Sequence, residues 1–378
     1  MRKLSGSWHG AAIIGALSTL LLAAQSVFAA PAVQQVSGKF DHKASVTITG
    51  SSFGSKPSAA PLVWDDASGN SFGSKWSGAW PSNNAAYNAA YRSTQRGISP
   101  PHNRTGKYIA GAHAQSLGFD SGYNVAFWKN VQSPSAVYAS WYQRNDDAWV
   151  FGGDNNLKTF AYSNCCSPYE MPNNWYLAYG PPTPSSTTSG AVWTINDDGG
   201  SLTNPDANGH GAWWGSAVNP MAGQWSKVEV AIKVSSATDG YVKVWENGAL
   251  RVDYRGPTDR YPGSSRTIGI GGYARIYGQS SNWRYFADAY IDTTLARVVL
   301  ANNANLSQAT VIENQIPSSW SANSITATVN LGKFTSGQKA YLFVVDSGGA
   351  VNGSGLPVTV GSTSNEKTPN APTNMSAE

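Results

Sequence analysis

Two cysteines in 378 residues, adjacent to each other, leave this chain without the means to build a disulfide framework. Charge is nearly as scarce: Asp, Glu, Lys and Arg make up 13% of the residues, and the formal net charge is +4. Setting Arg2 and Lys3 aside as part of a leader leaves 24 basic residues against 22 acidic ones, with no lysine or arginine run. That balance argues against nucleic acid or an anionic membrane surface as the partner. Long segments with a 3.6-residue apolar period are missing, so helices do not supply the framework. Only Asn83–Arg92 (NNAAYNAAYR) has the composition of a short helix. Absent too is an apolar run long enough for membrane insertion. Ala11–Ala24 has fourteen residues, whereas a span needs roughly 17–25.

What stands around that run is informative. Arg2 and Lys3 precede it and Val27-Phe28-Ala29 follows, the order of a bacterial secretory signal peptide over residues 1–29, cut after Ala29. The expectation is a secreted or cell-surface protein of about 350 residues, room for one large core or two domains. In an oxidising compartment Cys165 and Cys166 are candidates for a vicinal disulfide that stiffens a loop. Free thiols are the alternative, and no second Cys or His pair has the spacing of a zinc site.

Glycine, tryptophan and tyrosine are abundant, with 39, 15 and 18 copies. Strand-length runs of Val, Ile, Thr and Tyr are punctuated by SG, NG, DG and GG pairs, which predicts an all-β protein. The clearest section is 224–256. Val228, Val230, Ile232 and Val234 alternate with Lys227, Glu229 and Lys233, so one face is apolar and the other charged. Asp239-Gly240 turns the chain, Tyr241–Trp245 runs back, and Asn247-Gly248 makes a tight hairpin into Leu250–Tyr254. This W-x-x-V-E-V, D-G-x-x-x-V-W-x-N-G pattern resembles the concanavalin A-like (laminin G-like) jelly rolls of lectins, sugar-binding modules and polysaccharide lyases. The resemblance implies a jelly roll over residues 60–293.

The flanks read differently. Val46–Gly54 (VTITGSSFG), Ile325–Val329 and Tyr341–Gly348 resemble the IPT/TIG group of immunoglobulin-like domains. That resemblance implies a small sandwich whose first strands lie in 30–59 and whose remainder lies in 294–360, with the jelly roll inserted. The alternative is an N-terminal ribbon and a separate C-terminal sandwich. Residues 361–378 are Ser/Thr/Asn/Pro-rich and linker-like. Within them, Pro369–Ala377 resembles the first strand of a fibronectin type III domain, which points to further extracellular modules.

Chemistry centres on 267–277 (TIGIGGYARIY). Ile268, Ile270, Ala274 and Ile276 share one side, and Tyr273, Arg275 and Tyr277 the other. Phenols and a guanidinium suit a polar, ring-shaped ligand. Gln279, Tyr142, Arg144 and Lys158 are candidate companions on one concave, polysaccharide-binding face. Ala274, Tyr277 and Gln279 also fit part of the Y-F-K-A-G-x-Y-x-Q signature of alginate-lyase-type jelly rolls. Tyr273 replaces its lysine, Arg275 its glycine, and the companion R-[ST]-E-L-R and Q-[IV]-H motifs are missing. If the chain is a lyase, Tyr277 is the acid/base, Arg275 the carboxylate clamp and His210 the candidate base. No E-x-D-x-x-E triplet of a retaining glycosidase occurs. Ser52 fits G-x-S-x-G in letters only, because β elements flank it. Asp65, Asp66, Asp288 and Asp292 are a candidate calcium set, because the ends of an inserted domain must adjoin. The reading is therefore a glycan-binding protein, with a polysaccharide lyase acting on an acidic glycan, or a structural and adhesive surface module, as alternatives.

Overall fold

The structure is a computed structural model describing residues 29–68, 82–83, 90–92, 98–102, 108–114, 124–147, 157–164, 175–180, 191–197, 213–218, 222–259, 263, 265–273 and 281–364. Among them the chain is all-β, with a single 3-10 turn at Leu306–Gln308. Asn83 and Ala90–Arg92, the described residues of the segment expected to be helical, are strand instead. Ser82–Asn83 pairs with Phe127 and Trp128, and Ala90–Arg92 with Tyr108, Ile109 and Ala110. Cross-strand pairing overrides the local preference of alanine.

Two large sheets face each other. The seven-stranded sheet runs, edge to edge, Trp213–Val218, Ala191–Asp197, Trp175–Gly180, Leu157–Asn164, Arg266–Tyr273, Asn124–Val131, Ser82–Asn83. The eight-stranded sheet runs Ala249–Arg255, Tyr241–Glu246, Ser226–Lys233, Ala136–Asn145, Ser281–Asp292, Tyr108–Ala114, Ala90–Arg92, with Val63–Asp65 also paired to Ser281–Asp292. Trp141 of the latter stacks on Phe160 of the former, ring centroids 6.0 Å apart and nearly parallel. That contact fixes which side of each strand is core. Val137, Ala139 and Trp141 point inward, as do Phe160, Tyr162, Ile268 and Ile270, all but completely buried.

Strands from both ends of the described chain build a second, smaller sandwich. Ala32–Lys39 and Ser45–Ser51 join Ile316–Trp320, Ser324–Thr328 and Thr363–Ser364 in one sheet. Ile312–Asn314, Arg297–Ala301, Lys339–Val345 and Leu356–Thr359 form the other. Val36, Ile48, Val298, Leu300, Ile325 and Leu342 share its core. The long intervening segment leaves and returns on neighbouring strands, since Asp65, Trp64 and Val63 pair with Ala289, Tyr290 and Ile291.

The 241–255 hairpin forms as its turn chemistry predicts. Asn247 and Gly248 have φ of +50° and +77° and reverse the chain between Tyr241–Glu246 and Ala249–Arg255. The turn also presses on the small sandwich: a Cβ at Gly248 would stand 1.9 Å from the Ala309 carbonyl oxygen. Gly248→Ala is therefore expected to cost about 1–3 kcal/mol, read as a lower urea midpoint at unchanged slope. Parental stability in that variant would show that the hairpin tip does not bear on Ala309.

Candidate functional site

The strand Arg266–Tyr273 lies between Leu157–Asn164 and Asn124–Val131, in the middle of the seven-stranded sheet. Its even positions, Ile268 and Ile270, are core. Its odd positions lie on the opposite face, which is turned away from the eight-stranded sheet. There the register sets Gly269 between Ala161 and Trp128, Ala161 beside Tyr176, and Gly271 beside Ala126. Four alanine and glycine positions in adjoining strands thus make a floor, with an aromatic position at each side. Glycine inside a strand marks a place where something approaches the backbone closely. Thr267 donates its hydroxyl to Asn130 Oδ1 at 2.9 Å along the same face.

Two cations meet at the far end of this strand. Lys158 sits where the pairing with Trp175–Gly180 is irregular, and it is buried. A Cβ at Gly272, whose φ is +145°, would come within 2.7 Å of the Lys158 Cβ. From the facing sheet, Arg284 donates Nη1 to the Gly272 carbonyl at 3.2 Å and lies over the Phe286 ring. Arg284 is wholly buried, and its Nε and Nη2 have no hydrogen-bond partner. Burial with no acid beside it pushes the guanidinium down to about 9. No local pattern marks this residue, since inward-pointing Arg284 lies in a strand (SNWRYFADAYID) of mixed character.

Of the residues singled out from sequence, Tyr273 ends the strand opposite Asn124, and Lys158 sits beside Gly272. Arg275, Tyr277, Gln279, His210, Cys165 and Cys166 lie outside the described residues.

Tyr142 and Arg144 do share a side of Ala136–Asn145, but it is the side opposite Trp141, facing away from the seven-stranded sheet. They therefore do not line the face that carries Gly269. Arg144 is held by the Gly223 carbonyl and by Asp147. Tyr142 is buried and donates its hydroxyl to Glu313 Oε1 at 2.5 Å. Lys227 and Glu229 on the charged side of Ser226–Lys233 are likewise buried, because the small sandwich covers them, whereas Lys233 at the strand's end stays partly exposed and pairs with Asp239. Lys227 Nζ donates to Glu313 Oε2 at 3.0 Å, and Tyr138 donates to Glu229 at 2.5 Å. Asn314 Nδ2 reaches Ser140 at 2.6 Å, and the Lys333 amide donates to Glu313 at 3.0 Å.

Electrostatics follow from this arrangement. Burial pushes the Glu313 carboxyl up, but Lys227, the Tyr142 hydroxyl and the Lys333 amide more than offset it and hold it below its ordinary value. Burial lowers Lys227, yet Glu313 and Glu229 hold it above the usual lysine range. Tyr142 is pushed up by burial and by the Glu313 charge.

Each of the four aspartates has a partner within the chain. Asp65 and Asp66 accept the amides of Ala67 and Ser68, both at 2.9 Å. Asp288, at a bulge and with φ of +50°, binds His102 Nε2 at 2.6 Å through Oδ2, while its buried Oδ1 has no hydrogen-bond partner. Asp292 takes the Lys56 ammonium at 2.7 Å, and that ammonium also donates to the Ser58 and Ala59 carbonyls. Among the described residues no three His, Cys, Asp or Glu side chains group as metal ligands.

No protein-family model matches the chain, and no curated protein does either. Solved structures do resemble it. An endo-β-1,4-glucuronan lyase from the fungus Trichoderma reesei is 14% identical at a TM-score of 0.41, over 62% of this chain and 97% of that one. The alginate lyase Aly36B is 13% identical at 0.42, over 62% and 98%. The Emp47p carbohydrate recognition domain is 12% identical at 0.31, over 47% and 88%. Likenesses of this degree assign no activity to the chain.

Two outcomes follow. Arg284→Met, which removes an uncompensated buried cation while keeping its bulk, is expected to leave stability unchanged or raise it by about 1–4 kcal/mol. A clear fall in the urea midpoint would make Arg284 a structural residue. The second concerns His102. Burial lowers its imidazole, but the hydrogen bond to and charge of Asp288, backed by Glu313, hold it above the ordinary histidine value. A raised folded pKa gives stability that is complete below the unfolded value of about 6.5 and is lost as pH rises through the folded one. His102→Gln should therefore flatten the fall in stability that begins as pH rises past the unfolded value of about 6.5. A curve of unchanged slope there would remove His102 from the balance.

Proposed function

We propose that this chain is an exported glycan-binding protein that holds a polysaccharide on the face of the seven-stranded sheet turned away from the eight-stranded one. The observation that supports it best is the floor of Ala126, Ala161, Gly269 and Gly271 between the aromatic positions Trp128 and Tyr176. Such a floor lets a chain of sugar rings approach the backbone, while indole and phenol supply flat apolar surface for the C–H faces of the rings. Lys158, beside Gly272 in the same sheet, favours a glycan that carries carboxylates. Tyr273, Arg275, Tyr277 and Gln279 extend the same face in this reading. The small sandwich is read as an immunoglobulin-like carrier of IPT/TIG type.

A second reading has one observation in its favour. β-Elimination at a uronate needs a group that neutralises the carboxylate so that the adjacent C–H becomes acidic. Lys158, beside Gly272 and one residue short of Tyr273, is the described cation at that end of the strand. In this reading Tyr277 handles the proton, with Arg275 as clamp and His210 as candidate base.

Affinity electrophoresis in gels containing alginate, glucuronan or a heparin-like polymer tests the first reading. Retardation is expected in at least one acidic polymer, and Gly269→Val, which fills the floor, should weaken it about tenfold or more. Parental migration in every gel would end the proposal. The same incubations read at 235 nm separate the two activities. A rising absorbance reports the unsaturated uronate of a lyase, and a flat trace with retarded migration reports a binder.

A further inference from the structure

We propose a second ligand site, for a single sugar ring bearing a carboxylate, in the groove between the strand Tyr241–Glu246 and the small sandwich. It lies on the eight-stranded sheet and does not rest on the reading above. The groove encloses about 240 Å³. Tyr241, Lys243 and Trp245 occupy alternate positions of one strand and all three line it. Successive side chains on one face stand about 7 Å apart, so Lys243 is within reach of a ring stacked on Trp245. Arg297 enters from the opposite wall. Its guanidinium lies 4.0 Å over the Tyr138 ring and donates Nη1 to the Leu295 carbonyl at 2.8 Å, while its buried Nε has no partner.

The chemistry of the occupant follows from this lining. Two cations, Lys243 and Arg297, face one acid, Glu229, whose Oε1 already accepts the Tyr138 hydroxyl. The surplus is positive, so the ligand carries an anionic acceptor. The aromatic pair and the aliphatic wall of Leu306, Ile312 and Val351 give a bare inorganic anion nothing to cover. A pyranose with one apolar face and a carboxylate at its edge satisfies both halves. The source is either a free uronic acid or a uronate at a chain end, and the two share this chemistry.

Titration calorimetry of the full chain with methyl glucuronide, methyl glucoside and a glucuronate-ended oligosaccharide tests the assignment. Methyl glucuronide is expected to bind saturably, and methyl glucoside about tenfold more weakly. Lys243→Met should weaken glucuronide binding about fivefold to tenfold, Trp245→Leu should abolish it, and Gly269→Val should leave it unchanged. A markedly tighter oligosaccharide would support the site and name a chain end as the source; equal affinity would support it and name the free acid. Lys243 is half-buried, so its replacement keeps the test open if Trp245→Leu fails to fold. No saturable glucuronide binding, binding indifferent to Lys243→Met, or equal affinity for glucoside would overturn the proposal. Loss in Gly269→Val but not in Lys243→Met would place the sugar on the seven-stranded sheet, overturning this site while supporting the first.

Discussion

The carboxylate of Glu313 has no exposed surface, and it is where the two sandwiches are tied together. A lone buried carboxylate costs several kcal/mol and persists only if its charge and its lone pairs are met. Tyr142 and Lys227, from neighbouring strands of the large sheet, meet them from one side, and the Lys333 amide from the other. Gly332 is part of the same fit: its φ is +47°, and a Cβ there would fall 2.1 Å from the Glu313 carboxyl carbon. Replacing Tyr142 or Lys227 singly would leave the charge under-satisfied in the interior, so these residues act as a unit.

This tie decides where ligands can go. It covers the middle of the eight-stranded sheet, burying Tyr138, Tyr142, Lys227 and Glu229. The opposite face of the seven-stranded sheet and the edge groove at Tyr241–Trp245 are left for recognition. Two buried guanidiniums are held where packing alone would not put them. Arg284 lies in the interior between the sheets with Nε and Nη2 unpaired, and Arg297, which lines the groove, keeps a buried, unpaired Nε. Native cores seldom keep such groups without a use for their charge.

Local chemistry was readable and remote chemistry was not. The 241–255 hairpin could be read because Asn247-Gly248 sets its own φ values, and Ile268 and Ile270 because period two holds wherever one face is core. What covers the charged side of Ser226–Lys233 is not legible in the sequence, because alternation reports that two faces differ, not what covers the second. Its cover, Glu313, is far away in sequence. Tyr142 was assigned to a ligand face for the same reason: in a two-sheet protein each strand has an inward and an outward side, and only Trp141 on Phe160 shows which is which. His102, beside two prolines, carried no local signal, since its partner Asp288 is 186 positions away.

The pairing of Ser45–Ser51 with Ser324–Thr328 has a consequence in time. Roughly 280 residues must follow the first strands before their partner exists, on the order of tens of seconds at ordinary elongation rates. Until then Val46 and Ile48 have no core and the Ser45–Ser51 edge has no neighbour on its far side. The large sandwich, whose strands all lie between, can close first and bring Val63 and Ile291 together, turning this distant pairing into a much shorter loop closure. The inserted unit would then act as the clamp that lets its own carrier fold.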